Sequence, residues 1–393
     1  MTITQRQLFY NHLAQTSETP LALEIEKAEG LYLVDVSGKR YMDLISGISV
    51  CNVGHRHPKV LAAIQNQLDK YLHLMVYGEY IQSPQIKLAK LLADHLPSKL
   101  SSVYFVNSGS EAIEGAMKLA KRFTGRTEIV SFKNGYHGST HGCLSIMGNE
   151  EFKNAFRPLL PDTRQIEFNN TDDLQHITEH TAGVIIETIQ GEAGAIIPDA
   201  GFLKQLQLRC NEVGALLVAD EIQCGFGRTG KLFAFEHYDF IPDILCLAKG
   251  MGGGMPIGAF ISSKEIMNSL SNNPALGHIT TFGGHPVSCA ASAATMTVLL
   301  EEKLIEKVEQ KEKLFRSLLK HTQIKSINGK GLLLAIEFES YEQNKKIIDK
   351  CIENGLITDW FLFNAHSMRI APPLTITEEE ITKACKIILE SIL

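Results

Sequence analysis

Between Ser101 and Ser262 short apolar runs alternate with longer amphipathic segments, which is the rhythm of strands and crossover helices in a parallel sheet. The runs SSVYFV, TEIVSF, AGVIIET, ALLVADE, DILCLA and PIGAFIS are the predicted strands. Between them, Glu111 to Phe123 and Phe202 to Val213 carry apolar residues at helical spacing, and Gly125 and Gly214 follow as stop signals. After Pro286 the pattern changes to long Glu- and Lys-rich helical stretches interrupted by the strand-like GLLLAIEFE and SMRIAPPL, which reads as a smaller α+β unit. Near the start, GLYLVDVSGKRYMDL reads as a hairpin turning at Ser37-Gly38, expected to pack against the C-terminal part. The domain reading is therefore an N-terminal segment 1–50 packing with the small domain, a large α/β domain 51–286 with a mostly parallel sheet flanked by helices, and a small domain 287–393.

Composition narrows the function classes. With 44% hydrophobic and 21% charged residues in 393, the chain has the balance of a globular protein with a sizeable core. A net charge of -6 argues against nucleic acid or an anionic membrane as partner, and no apolar run reaches the roughly 18 residues of a spanning helix. The eight cysteines form no C-x-x-C pair, so buried free thiols and a reducing cytoplasm are expected. His55 and His57 in GHRHP alternate on a short loop without a third ligand nearby, and no metal is expected.

Three places carry chemistry. In Asn107-Ser108-Gly109-Ser110 a strand passes through small residues into a helix, whose free N–H groups and dipole favour an anion such as phosphate; a plain cap is the bland alternative. Asp220 ends the apolar run ALLVAD at the carboxyl edge of the sheet, where open α/β folds bind ligands. A buried carboxylate there needs a cation, and a protonated pyridinium nitrogen or a salt bridge with Arg228 would serve. Lys249 closes DILCLAK and is followed by crowded glycines. Burial favours its neutral amine, the form that attacks an aldehyde to make a Schiff base. GMGGG is not a dinucleotide fingerprint, because it leads into a strand and not a helix.

Together these residues resemble the class III aminotransferases, the ornithine/ω-amino-acid group of pyridoxal-phosphate enzymes of fold type I. The resemblance runs through GLYLVDVSGKRYMDLISGISVCNVGHRHP, VNSGSEA, NGYHGST, ETIQGEAG, VADEIQCGFGRTG, LAKGMGGGMPIGA, TTFGGHP and RIAPPL, in the family's order. It implies pyridoxal 5'-phosphate bound through Lys249, with Ser108, Gly109 and Ser110 around the phosphate, Tyr136 stacked on the ring, Asp220 at the ring nitrogen and Gln223 at the ring oxygen. It further implies a homodimer in which Thr281 completes the neighbouring site. Arg369 is similar to the arginine that grips a substrate carboxylate, and Glu192 to the glutamate that pairs with it when other substrates bind.

Two departures bear on substrate. Ornithine, acetylornithine and 4-aminobutyrate aminotransferases place an arginine just after the aromatic-x-Gly motif, where this chain has Ser139. Ornithine aminotransferases place a tyrosine at Ile48. Tyr77, with His73 and Tyr80, is a pocket candidate by position. The expected reaction is amino transfer from a terminal (ω) amine or amino acid to a 2-oxo acid, 2-oxoglutarate or pyruvate. An aminomutase, epimerase or decarboxylase on the same scaffold, or a cofactor-binding protein without turnover, are the other readings.

Overall fold

A computed structural model describes residues 3–392. Seven strands form the principal sheet in the order Ser102–Val106, Gly258–Ser262, Ile244–Leu247, Leu216–Asp220, Thr181–Glu187, Glu128–Phe132 and Thr163–Ile166. Only Gly258–Ser262 runs against its neighbours. All six strands read from apolar runs are present, and the architecture is the expected α/β one. The seventh, Thr163–Ile166, was not predicted; it lies at the sheet edge, pairs on one side only, and its TRQI sequence lacks an apolar run because little of it is covered.

The strands alternate faces. Ile185 joins Ala112, Ile113, Ala116 and Phe260 in the core beneath helix Gly109–Thr124, while Val184 and Ile186 join Phe202, Leu203 and Leu206 on the opposite side. Gly115 lets the first helix settle on the sheet, since a Cβ there would stand 2.3 Å from the Phe260 ring. Both helices end at left-handed glycines, Gly125 (φ 69°) and Gly214 (φ 72°).

A second, antiparallel sheet holds Ser326–Lys330, Leu333–Glu337, Asn364–Ile370 and Trp360–Phe361, backed by helix Tyr341–Glu353, on which Glu378–Ser391 packs in turn. A third contains the N-terminal hairpin, Tyr32–Asp35 with Arg40–Asp43, and Leu356–Ile357 adds to it in parallel from near the C-terminus. Arg228 sits at the junction, fully buried, donating to the carbonyls of Leu332 and Pro372 and to Asn52 Oδ1. Helix Pro286–Glu301 packs on Pro58–Leu68 and Ser83–Asp94. Among the described residues no helix is long and apolar enough to cross a membrane, and no group of three or more His, Cys, Asp or Glu gathers as a metal site. His55 is taken by Asp43 (2.8 Å), and His57 faces Glu302. All eight cysteines are free, and seven are buried.

Candidate active site

The carboxyl ends of the parallel strands open into a cavity of about 410 Å³. Ser108, Gly109 and Ser110 line one end of it, at the start of helix Gly109–Thr124. Ser108 is the N-cap, in extended backbone, and its side chain accepts from Glu111 N. The turn is crowded enough to demand glycine opposite it: a Cβ on Gly138 would fall 2.1 Å from Ser110 Oγ, and one on Gly258 2.4 Å from the Ser108 carbonyl. A helix N-terminus of this length, lined by small residues, suits a phosphate group.

Across the cavity Asp220 ends its strand in register with Glu187 on one side and Cys246 on the other. Its Oδ1 accepts from Ile222 N (3.0 Å), and its Oδ2 meets His137 Nδ1 at 2.8 Å. The salt bridge to Arg228 considered from sequence is therefore not formed; His137 fills that place. Sequence reading missed His137 because nothing in the spacing of YHG relates it to a strand end 83 positions away. His137 is raised above its ordinary value: burial pulls it down, and Asp220 more than offsets this.

Glu187 was likewise not singled out. It is 6% exposed, lines the cavity, and accepts from Tyr136 N (2.8 Å) and Gly191 N (2.9 Å). Burial pushes it up to about 7, with Asp220 adding to this and His137 and the two N–H groups opposing it.

Lys249 begins a short 3-10 turn just past strand Ile244–Leu247, with φ at 46°, a strained value for a residue with a Cβ. Its amine opens to the cavity while the rest of its surroundings are protein, and this burial lowers it below the usual lysine range; Glu192 works against the shift and Arg369 with it. Tyr136 and Gln223 also line the cavity. Gln223 Nε2 donates to Glu192 Oε1 (3.0 Å), while the Oε1 of Gln223 itself is buried without a partner.

Arg369 lies behind Glu192. It is 2% exposed, donates from Nη1 and Nη2 to the two Glu192 oxygens (3.1 and 2.9 Å) and from Nε to Asp359 (2.8 Å), and stacks over Phe361. Glu192 is held down to about 2; burial would raise it, and Arg369 outweighs burial.

Four sequence candidates lie outside the lining. Ser139 is exposed and shares a hydrogen bond with the Tyr136 hydroxyl (3.1 Å). Ile48 sits in a left-handed turn (φ 62°), and Val50, two residues on, reaches the cavity in its place. Tyr77 lines a separate depression of about 700 Å³ with Tyr104, His278 and Thr280. Thr281 is exposed, although its neighbour Thr280 accepts from Asn107 Nδ2. Ser139, Tyr77 and Thr281 stand on loops and Ile48 in a distorted single turn of helix, so their directions are set by packing and not by the local sequence; Thr281 was expected to serve the neighbouring copy's site and not this cavity.

The cavity fits pyridoxal phosphate on its own terms. It offers a helix N-terminus for an anion, a buried carboxylate for a ring cation, an unpartnered buried amide oxygen and a lysine side chain around one space. The fold and this set of groups define a pyridoxal-phosphate-dependent transferase. Residues 13–392 match the family model described as aminotransferase class-III, and the chain belongs to that family: it is a pyridoxal-phosphate-dependent aminotransferase, passing an amino group between a donor and a 2-oxo acid. It is 39% identical over 376 residues to the acetylornithine aminotransferase of Methanopyrus kandleri, covering 95% of this chain and 94% of that one. Among solved structures it superposes on the ornithine aminotransferase of Toxoplasma gondii with a TM-score of 0.91 at 30% identity, covering 99% of this chain and 94% of the other. It also superposes on the adenosylmethionine-8-amino-7-oxononanoate aminotransferase of Methanocaldococcus jannaschii, with a TM-score of 0.91 at 30% identity over 98% of each chain.

Proposed function

We propose that the protein is an ω-aminotransferase that accepts the terminal amine of its donor and uses Arg369 to hold the carboxylate of an amino or 2-oxo acid. The observation that carries this reading is the Arg369–Glu192 pair, buried and bidentate at the edge of the cavity that holds the Lys249 amine. A planar guanidinium fits a substrate carboxylate as it fits Glu192, so the two compete for one site. With Glu192 in place the charge is neutralised and a carboxylate-free amine is admitted; with Glu192 displaced, an α-carboxylate is admitted.

The remaining roles follow the chemistry of each group. Ser108, Gly109 and Ser110 would hold the phosphate, Tyr136 would cover the ring, Asp220 would keep the ring nitrogen protonated, and Gln223 would meet the ring oxygen. When bound, pyridoxal phosphate supplies an aldehyde carbon that exchanges amines and a cationic ring that draws electrons from the substrate carbon. Lys249 would hold the cofactor at rest. With the cofactor bound, the freed Lys249 amine would be placed to accept and return a proton at the substrate carbon, and burial, by lowering it below the usual lysine range, favours that role. His137 orients Asp220 through Nδ1. We further propose that two copies associate over the face carrying Tyr77, where Leu276 and Ile279 are exposed, so that Thr281 of each reaches the other's phosphate, and that the enzyme works in a reducing cytoplasm.

The test is a half-reaction screen of the holoenzyme against acetylornithine, ornithine, 4-aminobutyrate, β-alanine, diamines and glutamate. An ω-amine is expected to discharge the visible absorbance of the bound cofactor, and 2-oxoglutarate or pyruvate to restore it. Discharge by α-amino acids alone would overturn the ω-amine reading. A single-copy mass by light scattering would overturn the dimer.

A further inference from the structure

The turn that carries Glu192 is stitched to the loop that carries Tyr136, and one residue, Glu187, ties both directly through its two carboxylate oxygens. Gln190 and Ile196 close the turn by exchanging backbone hydrogen bonds, and the Gly191 carbonyl accepts from Gly194 N and Ala195 N inside it. At its near edge Gly191 N donates to Glu187 Oε2 (2.9 Å). The other Glu187 oxygen accepts from Tyr136 N (2.8 Å), and Gln190 Nε2 adds a second link by donating to the Lys133 carbonyl (2.8 Å). The pinned position is close-packed, since a Cβ on Gly191 would fall 1.7 Å from Gln223 Oε1 and the Gln223 side chain would have to move. A carboxylate is the group that accepts two converging N–H donors on two oxygens at once, which a glutamine cannot do.

We propose that Glu187 is a positioning residue that fixes Tyr136 and Glu192 relative to one another, and thereby sets the preference between carboxylate-free and carboxylate-bearing amines. This rests on the roles given above to Tyr136 and to the Arg369–Glu192 pair. Without the tie at Gly191, Glu192 competes less well for Arg369; carboxylate-bearing substrates gain and carboxylate-free amines lose. Without the tie at Tyr136, the covering ring is held less firmly and the cofactor leaves more readily.

The experiment compares wild type with Glu187→Gln and Glu187→Asp, the second keeping the charge on a side chain too short to reach both turns. Three quantities are read: the dissociation constant for pyridoxal phosphate by absorbance titration of the apoprotein, the visible circular dichroism of bound cofactor, and the ratio of kcat/KM for an amine bearing a carboxylate to that for a simple monoamine. The expected results are a cofactor affinity lowered about fivefold or more, an altered dichroic band, and a ratio shifted about fivefold toward the carboxylate-bearing amine. An equal fall for both amines with unchanged cofactor affinity would leave Glu187 a structural role only and overturn the proposal, as would failure of both variants to fold. If wild type turns over no ω-amine, the underlying functional reading fails instead, and the cofactor titration still tests the tie to Tyr136.

Discussion

Glu187 and Glu192 stand on either side of one short turn, both almost wholly buried, yet their surroundings drive them in opposite directions. Glu192 faces a guanidinium and is held down to about 2; Glu187 accepts from two backbone N–H groups, and burial lifts it to about 7 against the nearby charge of His137. The two ends of the cavity thus use one residue type for different ends. At the rim, the carboxylate on a buried arginine is strongly bound, and on the proposed reading a substrate carboxylate of the same shape takes its place. At the deep wall, a carboxylate on main-chain donors has no such rival and serves to hold geometry. The carboxylate of Asp220, held by His137, is the group at the deep wall that suits a cationic ring nitrogen.

The largest expected effect tests the chemistry both ends serve. Lys249→Ala should lower kcat by about 10³-fold or more, within the range for loss of a positioned acid–base group, while the fold persists in far-ultraviolet circular dichroism. Next, Arg369→Ala strands Glu192 and Asp359 without their cation. Removing one member of a buried pair costs about 3–5 kcal/mol, to be read from urea unfolding. A loss under 1 kcal/mol would mean the rim is wet and the comparison with the deep wall misdrawn.

The pH dependence of stability should separate the two glutamates by sign. Glu187, raised from 4.5 to about 7, contributes stability that is full below pH 4.5 and lost as pH rises through about 7. Glu192, lowered to about 2, contributes stability that is full above pH 4.5 and lost as pH falls toward 2. Glu187→Gln should therefore flatten the melting-temperature profile between pH 4.5 and 7, and Glu192→Gln the acid limb below 4.5. Profiles that changed in the same window would contradict the assignment. The smallest effect concerns the outer rim. Ser139→Arg should lower the KM for a dicarboxylic 2-oxo acid by about fivefold, with little change for a monocarboxylic one, because only the former has a distal carboxylate to meet the new fork.

Much of the frame was legible because it is written locally. Apolar runs bounded by glycines gave six strands of the principal sheet, and Gly125 and Gly214 gave the helix ends. The edge strand Thr163–Ile166 escaped because an uncovered strand needs no apolar run. Ser108 to Ser110, Asp220 and Lys249 were readable as ends of elements in a fold that places strand ends at the ligand. His137 and Glu187 were not, since a histidine after an aromatic and a glutamate closing an apolar run look the same whether they face solvent or a carboxylate.

By itself, then, the sequence determined the class of fold and the chemistry: periodicity is a property of neighbours in the chain, and a lysine at the end of a buried run is unusual wherever it occurs. Tertiary structure alone decided that Asp220 meets His137 and not Arg228, that Arg369 is buried on Glu192, and that Ser139, Ile48 and Tyr77 stand clear of the cavity. Parallel strands bring their carboxyl ends together only after long crossovers, so which side chains meet there depends on how the layers pack, a property that no local stretch of chain contains.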